Sequence, residues 1–183
     1  MPRIPYPDVS QLPETMRKML AGTPLNVVRI GAHASPQLFE AQGRLGWAIA
    51  DPDVLSPRLR ETVILRVARL SNSAYELHHH VSLGRAAGLS DGELQAITAG
   101  EYATLEPLLA AAACFTDEVV DRLSPADETL ARLRAMACDR IVVNIVLTIG
   151  CYMSIARLIA VTGIELDDGA LSHLPSSLED RAR

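Results

Sequence analysis

The sequence predicts an all-α protein in which one helical domain takes up most of the 183 residues. Aromatic residues make up only 4% of the chain, and alternating runs of strand-forming residues are scarce. Alanine and leucine are abundant, and apolar residues recur at the three-to-four-residue spacing of helices. We therefore expect a helical bundle with almost no sheet.

The first clear helix signals are two serine-proline pairs, at 35–36 and 56–57. Each pair reads as an N-cap serine followed by a proline at the first helical position, where no backbone N–H is needed. They predict helices over residues 36–50 and 57–70.

A short polar link then leads to a third helix, which begins near Ser73 and ends before a candidate C-terminal glycine, Gly88. The capping-box pattern Ser-x-x-Glu at 90–93 opens a short helix that Gly100 closes. Longer helices are predicted over residues 105–123, 125–135 and 141–161.

The helical signals are uneven along the chain, and they divide it into three parts. Residues 1–34 have weaker signals and are predicted to be an N-terminal helical extension. Residues 35–165 form the single main domain, and residues 166–183 form a C-terminal tail.

Composition argues against several classes of function. The formal net charge is -5, with the two signs interspersed, so no basic face is available for nucleic acid. The N-terminus lacks the apolar stretch of a secretory signal, and we expect a cytoplasmic protein. The three cysteines, at 114, 138 and 151, lie in apolar helical sequence and are expected to be reduced core thiols.

The segment 141–161 is the most hydrophobic in the chain and is nearly long enough to span a bilayer. Arg157 and several polar residues interrupt it, and an arginine within a membrane is costly. We expect this helix to be buried in the core or in a subunit interface, with no membrane partner.

Chemistry is most plausible on the third helix, where Glu76 and His80 lie one turn apart on the same face. A carboxylate beside an imidazole can fix its tautomer and raise its basicity, which makes a usable acid/base pair. The alternative is structural: Ser73 and Glu76 also match a capping box, in which the glutamate only binds the N-cap amide. The sequence leaves both open.

Glu61 lies on the preceding helix and shares its face with apolar residues. A buried carboxylate needs a partner. Either an arginine, Arg60 or Arg66, neutralises it, or it meets His80 across the helix pair.

The triple histidine at 78–80 is not expected to bind a metal ion, because consecutive helical residues point about 100° apart. We predict no metal and no cofactor. Tyr75 and Tyr152 could orient a substrate through their hydroxyls, although helical tyrosines are more often core residues.

The helix predicted over residues 57–70 and the third helix, which follows it, resemble those of a known family. Residues 61–80 read ETVILRVARLSNSAYELHHH and residues 83–94 read LGRAAGLSDGEL. This pattern resembles the carboxymuconolactone decarboxylase and alkylhydroperoxidase D superfamily, sharply over about 57–95 and more loosely from about 35 to 165. The resemblance implies an alkylhydroperoxidase D-like helical bundle that forms homo-oligomers through long apolar helices.

The peroxidase branch of that superfamily has a glutamate, a C-x-x-C pair and a histidine at fixed spacing. Glu61 and His80 match the outer positions, but Ser73 and Glu76 stand where the cysteines would be. Neither side chain can cycle through sulfenic acid and disulfide, so thiol peroxidase chemistry is not expected at this site.

The decarboxylase branch has a glutamate followed by E-L-x-x-H, which Glu61 and residues 76–80 match. The resemblance therefore implies a lyase or isomerase that uses acid/base chemistry on a small unsaturated lactone or carboxylic acid. His80 would transfer the proton, Glu76 would orient His80, and Glu61 would act as a second relay or tune the pKa of the pair. Ser73 and Tyr75 are candidate substrate-binding residues.

Two other functions stay open on the sequence. One is an antioxidant protein that uses the remaining cysteines, and the other is a non-catalytic binding oligomer.

Overall fold

The computed structural model describes residues 2–167, and every regular element among them is a helix. The α-helices of this part of the chain are α1 (Glu14–Gly22), α2 (Asn26–Gly31), α3 (Pro36–Ala50), α4 (Pro57–Leu70), α5 (Ala74–Ala86), α6 (Asp91–Ala99), α7 (Pro107–Arg122), α8 (Asp127–Arg134) and α9 (Asp139–Thr162). Two 3-10 turns, Val9–Gln11 and Tyr102–Thr104, lie between them. The all-α prediction is confirmed.

The two serine-proline pairs start helices as predicted, but only one serine caps with its side chain. The Ser35 hydroxyl accepts the Leu38 N–H at 3.4 Å. Ser56 is the N-cap residue of α4, as predicted, but its side chain makes no capping hydrogen bond. The Ser56 carbonyl, which accepts the Arg60 N–H at 2.9 Å, and the proline that follows are sufficient to begin α4.

The described part of the chain divides into two compact units: residues 2–44 with 158–167, and residues 45–157. The first unit has a small core of its own, which consists of Met16, Leu20, Ala32 and Phe39. The division predicted from sequence, at 34/35 and 165/166, stays a prediction. Residues 168–183 of its tail lie outside the described residues.

The second unit is built around α4, which packs against α5, α6 and α7. Residues 61–68 of α4 are buried without a break, because neighbouring helices cover all sides of it. Apolar side chains of α4 such as Val63 and Leu65 fill the core. The same enclosure buries the charged side chains of Glu61 and Arg66, which therefore need partners inside the unit.

The junction between α4 and α5 is a Schellman motif. Asn72 adopts a positive φ of 51°, which turns the chain back. The Ser73 N–H donates to the Ala68 carbonyl at 2.9 Å, and the Asn72 N–H donates to the Arg69 carbonyl at 3.1 Å. Ser73 thus ends α4 with its amide while its hydroxyl accepts the Glu76 N–H at the start of α5.

Within the described residues, one helix, Asp139–Thr162, is long and apolar enough to cross a membrane by length and composition. One side of it is buried, with Val142, Ile145 and Ile149 in the core of the second unit. On other sides Val143 and Leu147 are exposed. The helix is thus buried only in part in the single chain.

The three cysteines form no disulfide within residues 2–167, which include all of them. Cys151 is buried and Cys114 is half-buried, but Cys138 is exposed. The core-thiol prediction is therefore wrong for Cys138. It lies between α8 and α9, where its carbonyl accepts the Ile141 N–H at 2.9 Å and the Val142 N–H at 3.2 Å, and the apolar helical pattern does not apply.

Candidate active site

Glu61, Glu76 and His80 meet where α4 and α5 pack together. His80 Nδ1 lies 2.8 Å from Glu61 Oε2, and His80 Nε2 lies 3.5 Å from Glu76 Oε2. All three residues are buried, with exposed fractions of 1%, 4% and 8% for Glu61, Glu76 and His80. The imidazole thus lies between two carboxylates, and Glu61 is the most deeply enclosed of the three.

Glu61 is held at both carboxylate oxygens. Its Oε1 accepts from Arg60 Nε at 2.9 Å, while Arg60 Nη1 donates to the Ala50 carbonyl at 2.8 Å. Burial alone would raise the pKa of Glu61, but the charge and hydrogen bond of His80, aided by Arg60, lower it below its ordinary value. Glu61 is therefore a fixed carboxylate.

The ionised Glu61 sets the tautomer of His80. A nitrogen 2.8 Å from a carboxylate carries a proton, so Nδ1–H donates to Glu61. Burial would lower the pKa of His80, yet the charge and hydrogen bond of Glu61, with a further contribution from Glu76, raise it overall. The reactive nitrogen is then Nε2.

Glu76 has the opposite tendency to Glu61. Burial raises its pKa, the Glu61 charge raises it further, and His80 offsets these effects only in part. The 3.5 Å gap to His80 Nε2 is longer than an ordinary hydrogen bond. An atom of a bound substrate can therefore compete with His80 Nε2 and Glu76 for the proton that they share.

The capping-box alternative for Glu76 is not what the structure shows. Its carboxylate would bind the Ser73 amide, but that amide already donates to Ala68 in the Schellman motif. The reciprocal bond does form in α6, where the Ser90 N–H donates to the Glu93 carboxylate at 2.9 Å. Ser73 therefore caps α5 as predicted, whereas Glu76 does not return to the Ser73 amide and is turned toward His80.

The remaining predicted residues, Ser73 and Tyr75, lie at the N-terminal end of α5. Ser73 is 5% exposed, with its hydroxyl on the Glu76 amide. Tyr75 is 3% exposed, and its ring lies 4.5 Å from that of His79. Their substrate-binding roles stay predictions. His78 is exposed, and residues 2–167 contain no group of three or more His, Cys, Asp or Glu residues placed to hold a metal ion.

The structure decides between the partners considered for Glu61. Arg60 and His80 both bind it, whereas Arg66 donates instead to Asp117 at 2.7 Å. Adjacent helical residues ordinarily point apart. The long side chain of Arg60 nevertheless reaches the Glu61 carboxylate with Nε, while its Nη1 donates to the Ala50 carbonyl.

The sequence suggests that Tyr152 could orient a substrate, but it does not predict the contact of Tyr152 with His80. Its ring stands edge-on to the His80 ring, with centroids 5.0 Å apart and an angle of 86°. Tyr152 lies on α9, more than seventy positions away in the chain, and no local spacing predicts that contact. Its position one turn after the buried Thr148 and Ile149 is the signal that α9 turns it inward.

A family model, the carboxymuconolactone decarboxylase family, matches residues 36–118. The matched segment runs from α3 into α7 and includes all three residues of the acid/base cluster. This segment of the chain belongs to the carboxymuconolactone decarboxylase and alkylhydroperoxidase D superfamily. A search of curated proteins finds no match to the sequence.

Solved structures with a similar fold carry different names, from AhpD-related proteins to a debrominase. An uncharacterised peroxidase-related protein from Ralstonia eutropha, with an alkylhydroperoxidase AhpD core, has a TM-score of 0.79 at 18% identity, covering 91% of this chain and 93% of that one. A protein of unknown function from Agrobacterium tumefaciens, named as a candidate AhpD antioxidant-defence protein, has a TM-score of 0.67 at 22% identity over 75% and 96% of the two chains.

The third similar structure is a cysteine-to-alanine variant of the debrominase Bmp8 in complex with 2,3,4-tribromopyrrole. Its TM-score is 0.73 at 14% identity, over 97% of this chain and 96% of that one. At such identities the likeness establishes the carboxymuconolactone decarboxylase-like fold alone. Function depends on the residues of the site itself.

Proposed function

We propose that this superfamily member is an acid/base enzyme, a decarboxylase-like lyase or an isomerase, acting on a small unsaturated lactone or carboxylic acid. The observation that carries the proposal is the His80 imidazole, which is held between two buried carboxylates whose pKa values are shifted in opposite directions. Paired groups of this kind are how proteins separate the roles of acid and base.

The charges of the cluster favour easy proton movement. Arg60 balances the ionised Glu61, so His80 and Glu76 together hold one mobile proton. That proton gives either an imidazolium beside a carboxylate or a neutral imidazole beside a carboxylic acid. Both forms leave the buried cluster electrically neutral, so exchange between them avoids the cost of a net buried charge.

In a decarboxylation, the bond between the ring carbon and the carboxylate breaks, and its electron pair passes into the unsaturated ring as an enolate while carbon dioxide leaves. His80 Nε2 then delivers its proton to carbon, and Glu76 or solvent returns a proton to the imidazole. Glu61 keeps Nδ1 protonated throughout. In an isomerisation, the same nitrogen removes a proton from one carbon and returns it to another.

The geometry bears on the rival peroxidase function as well. A thiol peroxidase would need cysteines where Ser73 and Glu76 stand, so a peroxidase would have to use another thiol. Cys138 is exposed, and N–H groups of Ile141 and Arg140, together with the charge of Arg140, lower its pKa. Loss of hydroperoxide consumption in Cys138→Ser, with consumption intact in His80→Asn, would favour that alternative.

We also propose that the protein works in the cytoplasm as a homo-oligomer. The exposed apolar side chains of α9 support this, among them Val143, Val146 and Leu147. A single chain that leaves such a face in water would gain by covering it with a second copy.

The decisive experiment measures carbon dioxide release from a panel of unsaturated lactone acids. Glu61→Gln, Glu76→Gln and His80→Asn should each lower turnover by about 10²–10⁴-fold. His78→Asn and Glu101→Gln are the matched controls, because both residues are exposed, and should retain wild-type rates. If Glu76→Gln is silent in every assay while the chain folds normally, the protein is a binding oligomer and the proposal fails.

A further inference from the structure

Tyr152 brings a third helix to the acid/base cluster. It lies on α9, on the side where Ile149 and Ala156 are buried, and its ring meets the His80 imidazole edge-on at 5.0 Å. Edge-to-face contact is a favoured geometry for such rings. The ring of Tyr152 therefore helps to fix the plane in which His80 Nε2 faces Glu76.

The hydroxyl of Tyr152, unlike its ring, has no partner among the described residues. Within residues 2–167 it makes no hydrogen bond to another residue, and the tyrosine is half-buried rather than sealed. The hydroxyl of Tyr102 shows the usual outcome for a partly buried tyrosine, because it donates to the Asp117 carboxylate. An uncommitted donor beside a buried acid/base cluster is available to a ligand.

The surroundings also keep this hydroxyl neutral. Burial raises the pKa of Tyr152 well above its ordinary value, and the charges of Glu61 and Glu76 raise it further. A tyrosine that keeps its proton stays a hydrogen-bond donor throughout the working pH range. Arg60, the arginine whose charge acts on Tyr152, cannot easily replace it, because its Nε and Nη1 already donate to Glu61 and Ala50.

We propose that Tyr152 is a substrate-contacting residue whose hydroxyl donates a hydrogen bond to the substrate oxygen on which negative charge develops as His80 moves the proton. The inference rests on the proposed acid/base function and adds a specificity: the substrate carries a carbonyl or carboxylate oxygen conjugated to the reacting carbon. A donor placed in advance at that oxygen stabilises an enolate more than it stabilises the neutral ground state.

The test uses 4-nitrophenol, a planar conjugated oxyanion whose absorption distinguishes its ionised from its neutral form. Bound to the wild-type protein, the probe should have a higher ratio of ionised to neutral form than in buffer at the same pH. Tyr152→Phe keeps the ring that contacts His80 and removes only the hydroxyl. It should lower that ratio by about tenfold, the effect of one hydrogen bond to a charged group.

Tyr102→Phe is the matched control. It removes a hydroxyl that is bonded within the protein, so it should lower thermal stability while leaving the bound spectrum of the probe unchanged. Tyr152→Phe should change the bound spectrum of the probe while leaving thermal stability unchanged.

An equal ratio in wild type and Tyr152→Phe would overturn the inference, and so would a wild-type protein that shows no saturable binding of the probe. The proposed function fails on a different result, which is wild-type turnover in His80→Asn. The two failures are therefore distinguishable in one set of variants.

Discussion

His80 owes its chemical character to the residues on either side of its ring. The sequence indicates the contact with Glu76, because residues one turn apart on a helix share a face. It does not decide which partner Glu61 takes, since that depends on how α4 and α5 are rotated against each other. The structure resolves this by placing Glu61 Oε2 2.8 Å from His80 Nδ1, while Arg66 is drawn to Asp117.

The raised pKa of His80 predicts how stability depends on pH. The folded protein binds the imidazole proton more tightly than the unfolded chain, so this stabilisation is complete below the ordinary histidine pKa, 6.5. It is lost as pH rises through the higher folded value. We expect the free energy of unfolding to fall above about pH 6.5, by at most about 1.4 kcal/mol per pH unit for one proton.

Urea unfolding between about pH 6 and 9 measures this slope. His80→Asn should flatten it, and His78→Asn, which alters an exposed histidine on the same helix, should leave it in place. Identical slopes in His80→Asn and the wild type would show that the coupling between His80 and the carboxylates does not exist in solution.

At the scale of elements, the junction between α4 and α5 shows where sequence patterns reach their limit. Positions 73–76 and 90–93 both fit Ser-x-x-Glu, yet only the second closes the full capping box. The difference lies one residue earlier, at Asn72, whose positive φ sends the next amide back to α4. Asparagine tolerates this conformation, but its presence alone does not predict a Schellman motif.

Close packing of α5 against its neighbours keeps the cluster in register, and Gly84 leaves no room for a side chain in that packing. A β-carbon at Gly84 would lie 2.8 Å from Leu94 Cδ2, 3.3 Å from Leu89 Cδ1 and 3.6 Å from Leu65 Cδ1. Gly84→Val should therefore lower the free energy of unfolding by about 2 kcal/mol through overpacking. Denaturant unfolding measures this cost.

Gly46→Ala is the control for that substitution. Gly46 also lies within a helix, but nothing stands within 4 Å of an added β-carbon. Alanine there should stabilise the protein by about 0.5–1 kcal/mol. A Gly84→Val protein as stable as the wild type would show that α5 can shift away from α4 and α6 without cost.

For the whole molecule, helix spacing and cap signals predict most of the fold. The predicted ranges 36–50 and 57–70 coincide with α3 and α4, and the later helices are displaced by only a few residues. The sequence does not predict the contact of Tyr152 with His80, because that contact depends on how α9 packs in three dimensions. It also does not show that Cys138 is exposed, since a residue between two apolar helices looks like part of either.

The proposed homo-oligomer makes a prediction at this scale. Leu147 is 55% exposed on α9, and Leu147→Asp would place a charge in the apolar face that we expect a second copy to cover. The substitution should lower the mass measured by light scattering at micromolar concentration. Leu123→Asp, at a leucine 90% exposed at the end of α7, should leave the mass unchanged. A monomeric wild type would contradict the proposal.

The central claim is that His80 moves a proton to and from carbon while Glu61 and Glu76 hold it in place. The most direct measurement is deuterium incorporation from heavy water into the ring carbons of an unsaturated lactone acid, followed by NMR. We expect exchange with the wild type and with His78→Asn, and a loss of about 10²-fold or more with His80→Asn. Equal exchange in His80→Asn and the wild type would contradict the claim.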